Sequence, residues 1–125
     1  MCLLDTHTLL WFLFDDSKLS EAGLRLISQS DKAFVSVASL WEIAIKQSIG
    51  KIEIRSSISE IAQHCDKADI NILEIKPDHL DMIKQLPHIH NDPFDRLIVA
   101  QAVIEDLVLI TRDTIIPRYE IKTVW

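Results

Sequence analysis

The segment Ala33-Phe34-Val35-Ser36-Val37-Ala38-Ser39-Leu40-Trp41-Glu42-Ile43-Ala44-Ile45-Lys46 changes its periodicity partway along. Ala33 to Val35 is apolar at every residue, as in a strand covered on both faces. From Ser36 onward Val37, Leu40, Trp41, Ala44 and Ile45 recur at i, i+3, i+4, i+7 and i+8. That is the apolar stripe of a helix, with Ser36 placed to cap its start and Gly50 lying past its end. A covered strand running straight into a capped helix implies a crossover connection and a parallel sheet.

The same alternation recurs outward from this segment. Leu3-Leu4, Ile70 to Ile75 and Leu107 to Ile110 read as further covered strands, and Ile121 to Trp125 as a fifth at the edge. Helix starts are marked by Ser20 ahead of Leu24 and Ile27, by Ser57 with Glu60 three residues on, and by Asp92-Pro93 with Asp95. Thr8 to Phe14 and Asp78 to Leu86 are shorter helical candidates, the second stopped by Pro87. The expected class is therefore α/β with a mainly parallel sheet, and binding residues belong at the carboxyl ends of its strands.

Composition removes several function classes. With 125 residues, 48% apolar side chains, 2 Gly and 4 Pro, the chain reads as one folded unit without a linker or repeat. Cys2 and Cys65 have no zinc-like or C-x-x-C spacing, so two reduced, buried thiols in a cytoplasmic setting are expected. The longest apolar runs, Leu9 to Phe14 and Leu107 to Ile110, fall far short of the ~20 residues that span a bilayer. The N-terminus lacks a basic n-region and meets Asp5, unlike a secretory signal. A net charge of −6, from 13 basic and 19 acidic residues, gives no global field that would draw in a polyanion. A nucleic-acid role must rest on a local site.

The acids supply one. Asp5 follows the first strand and Asp113 follows the fourth, on the same rim. Glu42 stands among apolar neighbours on the helix leaving the second strand, where a carboxylate needs a partner. Asp95 lies one turn into the helix that Pro93 opens. Carboxylates brought within ~4–6 Å raise one another's pKa, and a hard divalent cation such as Mg²⁺ or Mn²⁺ removes that penalty. Phosphodiester hydrolysis follows from such a site.

These motifs, in this order and spacing, resemble a PIN domain, and more narrowly the VapC-type toxin ribonucleases of bacterial toxin–antitoxin pairs. The likeness rests on Leu3-Leu4-Asp5-Thr6-His7, Ser36-Val-Ala-Ser39-Leu-Trp-Glu42, Asp92-Pro-Phe-Asp95-Arg96 through Ala102, and Leu109-Ile-Thr111-Arg-Asp113, and it spans nearly the whole chain. It implies a PIN-like three-layer sandwich with about five parallel strands over residues 1–125. It further implies a Mg²⁺- or Mn²⁺-dependent endoribonuclease, an RNA substrate, a cognate antitoxin and a homodimer. Asp5, Glu42, Asp95 and Asp113 match the acids that hold the metal, and Thr6, Ser39 and Thr111 match hydroxyl residues that line or orient the site.

Ordinary structural roles compete for each residue. Asp5 and Asp113 suit turns or caps, Glu42 suits a pair with Lys46 at i+4, and Asp92 with Asp95 suits a helix start. His88, His90 and Asp92 carry an H-x-H pattern but no further zinc ligand at useful spacing, so His90 is read as a loop residue available to a carboxylate or an RNA phosphate. Arg96, Arg112 and Arg118 are expected at the cleft rim, and Trp11, Phe12 and Phe14 at a subunit interface or stacked on bases. Competing functions are a PIN-like module that binds RNA or protein without cutting and a phosphotransfer receiver domain, which would need an acidic pair before its phosphoacceptor. A haloacid-dehalogenase-type phosphatase would need an acid where His7 stands.

Overall fold

In the computed structural model, which describes residues 1–14 and 16–125, the strands are β1 (Cys2–Leu4), β2 (Ala33–Ser36), β3 (Ile70–Leu73), β4 (Val108–Ile110) and β5 (Thr123–Val124). All neighbours pair in parallel, in the order β3-β2-β1-β4-β5, with β5 at an edge. Parallel pairing forces each connection to cross a face of the sheet, and helices make those crossings. They are α1 (Thr6–Leu13), α2 (Glu21–Gln29), α3 (Val37–Ser48), α4 (Ile58–Lys67), α5 (Pro77–Gln85) and α6 (Pro93–Glu105), followed by a short 3₁₀ turn, Ile116–Tyr119. None of these described helices is long and apolar enough to cross a membrane.

Side-chain alternation along the strands builds a core on each face of the sheet. Cys2 and Leu4 of β1 and Ile110 of β4 join Leu9, Ile27, Ile43 and Ile61 in one apolar layer, which involves α1 to α4. Leu3 and Leu109 point the other way and join Ile98, Val99 and Ile116, which brings in α6 and the 3₁₀ turn. Both cysteines are free and lie in the first layer, where burial pushes their thiols up.

Local chemistry sets the helix ends. Ser20, Ser36 and Ser57 each accept a backbone N–H, and Ser57 and Glu60 complete a reciprocal capping box. Gly50, at φ +71°, ends α3 in a left-handed turn: its N–H donates to Gln47 O (3.2 Å), and that of Lys51 to Lys46 O (2.8 Å). This paired closure satisfies carbonyls that the helix leaves open.

Two expectations about buried faces need correction. On α3 the buried residues include Ala38, Ser39, Glu42 and Ile43, whereas Trp41 and Ile45 of the apolar stripe are 57% and 39% exposed. The helix turns Leu40 and Ile43 into the core and Glu42 toward the cleft, which leaves Trp41 and Ile45 on the outer side. The run Leu9 to Phe14, whose Trp11, Phe12 and Phe14 are expected at an interface or on bases, also contributes to this chain's own core. Leu9 and Leu10 are buried, Phe12 and Leu13 pack on the core, and among these six residues only Phe14 is well exposed.

Candidate functional site

The order of strands reverses about β1, and an open cleft of about 520 Å³ lies there. Its wall carries Asp5, Glu42, Asp92, Asp95 and Asp113, with Lys46 and Arg112 as its cations. Residues from the start of α1, from α3, from the start of α6 and from the segment after β4 thus share one hollow, although they are scattered over the chain.

Each acid is held by its local structure. Asp5 caps α1, accepting the Thr8 N–H at 2.9 Å, while the Thr8 hydroxyl donates to Ile110 O across the sheet at 3.0 Å. Glu42 is buried and engaged at both oxygens, by the Thr6 hydroxyl at 2.6 Å and by Lys46 Nζ at 2.8 Å. Ser39 Oγ lies 3.0 Å from the same Thr6 hydroxyl. The pairing of Glu42 with Lys46 and its place on the cleft wall therefore coexist. Asp113 Oδ1 accepts the N–H groups of Ile115 and Ile116 at 2.6 and 3.1 Å, and its own N–H donates to Thr111 Oγ1 at 3.0 Å.

On α6 the two acids divide the work. Asp92 is the cap, its Oδ1 accepting from the N–H groups of Phe94 (2.9 Å) and Asp95 (3.0 Å). Among the described residues the Asp95 carboxylate has one hydrogen-bond partner, His90 Nε2 at 3.3 Å from its Oδ2. Burial first and then the negative charge of Asp92 push its carboxyl up to about 6; the His90 hydrogen bond opposes them, and Asp113 and Glu42 add smaller repulsions.

Arg96 is not at the rim. It is 8% exposed, and its guanidinium donates to the carbonyls of Pro87 (2.8 Å) and Ile83 (3.1 Å) and to the Tyr119 hydroxyl (3.2 Å). Arg112 does line the cleft, 6.0 Å from the centroid of the Trp11 ring, whereas Arg118 is exposed and lies off its wall. Trp11 also borders the cleft, between His7 and Trp125. Sequence reasoning missed Tyr119, whose hydroxyl lies 2.6 Å from His90 Nδ1. The available signal was that it is the one tyrosine of the chain, just beyond the last acid motif.

Among the described residues, no three His, Cys, Asp or Glu side chains stand close enough to grip an ion by themselves. The donor set nonetheless fits a hard ion that keeps much of its water. It is all oxygen, it crowds negative charge, and Mg²⁺ commonly takes only one or two carboxylates directly. Burial raises the Asp95 carboxyl first, and the charges of Asp92, Asp113 and Glu42 add to that rise.

Comparison with known proteins agrees with the architecture. The PIN domain family matches residues 2–122. Ribonuclease VapC22 of Mycobacterium tuberculosis is 28% identical over 116 residues, covering 89% of this chain and 85% of that protein. A toxin–antitoxin complex from Klebsiella pneumoniae contains a chain that superposes with a TM-score of 0.68 at 22% identity, over 100% of this chain and 97% of that one. VapBC2 from Rickettsia felis, bound to a DNA fragment from its promoter, gives 0.67 at 14% identity, over 98% and 96%.

Proposed function

The chain belongs to the PIN domain family, and from that premise we propose that it is a VapC-type endoribonuclease, the toxin of a toxin–antitoxin pair, with residues 1–125 forming one PIN domain. The observation that carries the proposal is the gathering of Asp5, Glu42, Asp95 and Asp113 on one cleft wall, where burial and neighbouring negative charge push the Asp95 carboxyl up to about 6. That crowding is unfavourable until a cation neutralises it.

Asp5, Glu42, Asp95 and Asp113 would hold Mg²⁺ or Mn²⁺. Bound there, the ion supplies a water of lowered pKa and stabilises charge at the phosphate in an in-line displacement. The chain's own residues do the rest. Arg112 and Lys46 meet the phosphate oxygens from the wall, Thr6 holds Glu42 by its hydroxyl, and Thr111 fixes the backbone that presents Asp113. Cleavage of RNA by the purified chain with Mg²⁺ or Mn²⁺, lost on Asp5→Asn, supports this reading. Equal, metal-independent cleavage by both proteins contradicts it, and metal binding without turnover selects the non-cutting module instead.

The proposal includes an antitoxin partner and self-association. The antitoxin is supported by the solved toxin–antitoxin complexes that share the fold, and by an acidic cleft that would receive a basic segment. For self-association, the exposed surface is the α3 stripe rather than α1. Trp41, Ile45 and Ile49 follow one another at i, i+4 and i+8, and are 57%, 39% and 58% exposed. Light scattering should give a dimer that Ile45→Glu converts to monomer; a monomeric wild type removes the homodimer.

A further inference from the structure

Behind the α6 wall, Arg96 and Tyr119 are buried side by side and have no part in the chemistry above. Arg96 makes no ion pair with a carboxylate among the described residues; its hydrogen-bond partners are backbone carbonyls and the Tyr119 hydroxyl. A guanidinium only donates, so the Tyr119 oxygen accepts from it and the tyrosine proton is left for another partner. Arg96 Nη1 donates to Tyr119 Oη at 3.2 Å, and that oxygen lies 2.6 Å from His90 Nδ1. At the far side of the imidazole, Nε2 faces Asp95 Oδ2 at 3.3 Å, and a carboxylate oxygen at that distance favours, without alone fixing, a proton on that nitrogen. A neutral His90 protonated at Nε2 leaves Nδ1 bare, and the Tyr119 O–H is the donor that satisfies it. The reverse arrangement, with the proton on Nδ1, would point an imidazole lone pair at a carboxylate and strand the tyrosine proton in a buried site.

We propose that Arg96 and Tyr119 are positioning residues: through one directional chain, Arg96 to Tyr119 to His90, they hold His90 in its Nε2–H form and so turn Asp95 Oδ2 away from the cleft's ligand. Among the described residues Asp95 Oδ1 has no hydrogen-bond partner, so it is the oxygen left for a cation. This rests on the reading of Asp95 as an ion ligand, but the histidine can be examined without any ion. Supporting groups of this kind orient a ligand, and their loss typically lowers metal affinity 10- to 100-fold.

The test has two readouts on the full chain. Long-range ¹H–¹⁵N NMR of the metal-free protein at pH 7.5 reports the His90 tautomer, and calorimetric titration with Mn²⁺ reports affinity. The expected result is the Nε2–H form in wild type, a mixture of tautomers in Tyr119→Phe, and about 10-fold or more weaker Mn²⁺ binding in that variant. A wild-type histidine protonated at Nδ1 overturns the proposal, even if Tyr119→Phe fails to fold. An altered tautomer with unchanged Mn²⁺ affinity also overturns it. If Mn²⁺ binds neither protein, the ion reading of the cleft fails and this positioning role falls with it, while the wild-type tautomer still decides the direction of the chain.

Discussion

Glu42 and Asp95 border one cleft, but the fold treats them differently. Glu42, on α3, has a donor on each oxygen, from Thr6 and Lys46. Asp95, on α6, has among the described residues one hydrogen-bond partner, His90 at 3.3 Å, and is repelled by Asp92, Asp113 and Glu42. The first carboxylate has both oxygens engaged by its own protein, and the second has one contact at Oδ2. A site that binds a cation needs both kinds: a rigid acid that defines the wall, and one whose charge the ligand completes.

The contrast predicts its largest effect in catalysis. Asp95→Asn should lower RNA cleavage by on the order of 10²–10³-fold, the loss typical when one preorganised electrostatic group is removed, with saturating Mn²⁺ giving no rescue. Cleavage rates of wild type and variant on one RNA check this, and near-equal rates would place the working charge elsewhere.

Stability should move in opposite directions on the two walls. Thr6→Val leaves Glu42 Oε1 buried without its donor, and should cost about 1–3 kcal/mol in urea unfolding. Asp95→Asn should instead stabilise the metal-free protein at pH 7.5. The sign follows from linkage: a carboxyl whose folded value is near 6, above its ordinary 3.8, contributes nothing unfavourable below pH 3.8 and destabilises progressively as pH rises through 6. The gap between Asp95→Asn and wild type should therefore open between about pH 4 and pH 6, reach about 1–2 kcal/mol after solvent screening, and close when Mn²⁺ is added. Unfolding curves over pH 4 to 8 measure it, and a gap that is constant in pH would mean Asp95 is not strained by its neighbours.

Much of this contrast was written in residue types, and the rest in packing. The alternation of apolar runs with Ser20, Ser36, Ser57 and Asp92 marked strands and helix starts, because capping is local chemistry. Strand ends were less legible: the expected strand from Ile70 to Ile75 stops at Leu73. The short 3₁₀ turn left no periodic trace, and with it went Tyr119. Arg96 looked like a rim cation because sequence does not distinguish a solvated guanidinium from one enclosed by carbonyls. The apolar stripe of α3 misled for a related reason. Periodicity finds a stripe, but which side of a helix faces inward is set by packing: here Leu40 and Ile43 enter the core, Ser39 meets Thr6, and Glu42 meets the cleft.

The central claim is that this cleft holds a divalent cation against Asp95, and a crystal soaked in Mn²⁺ tests it most directly by anomalous scattering. The account predicts one or two peaks inside the cleft, with one bound to Asp95 Oδ1 and vanishing in Asp95→Asn. A cleft without a peak at saturating Mn²⁺, or a peak that survives that substitution unchanged, would contradict it.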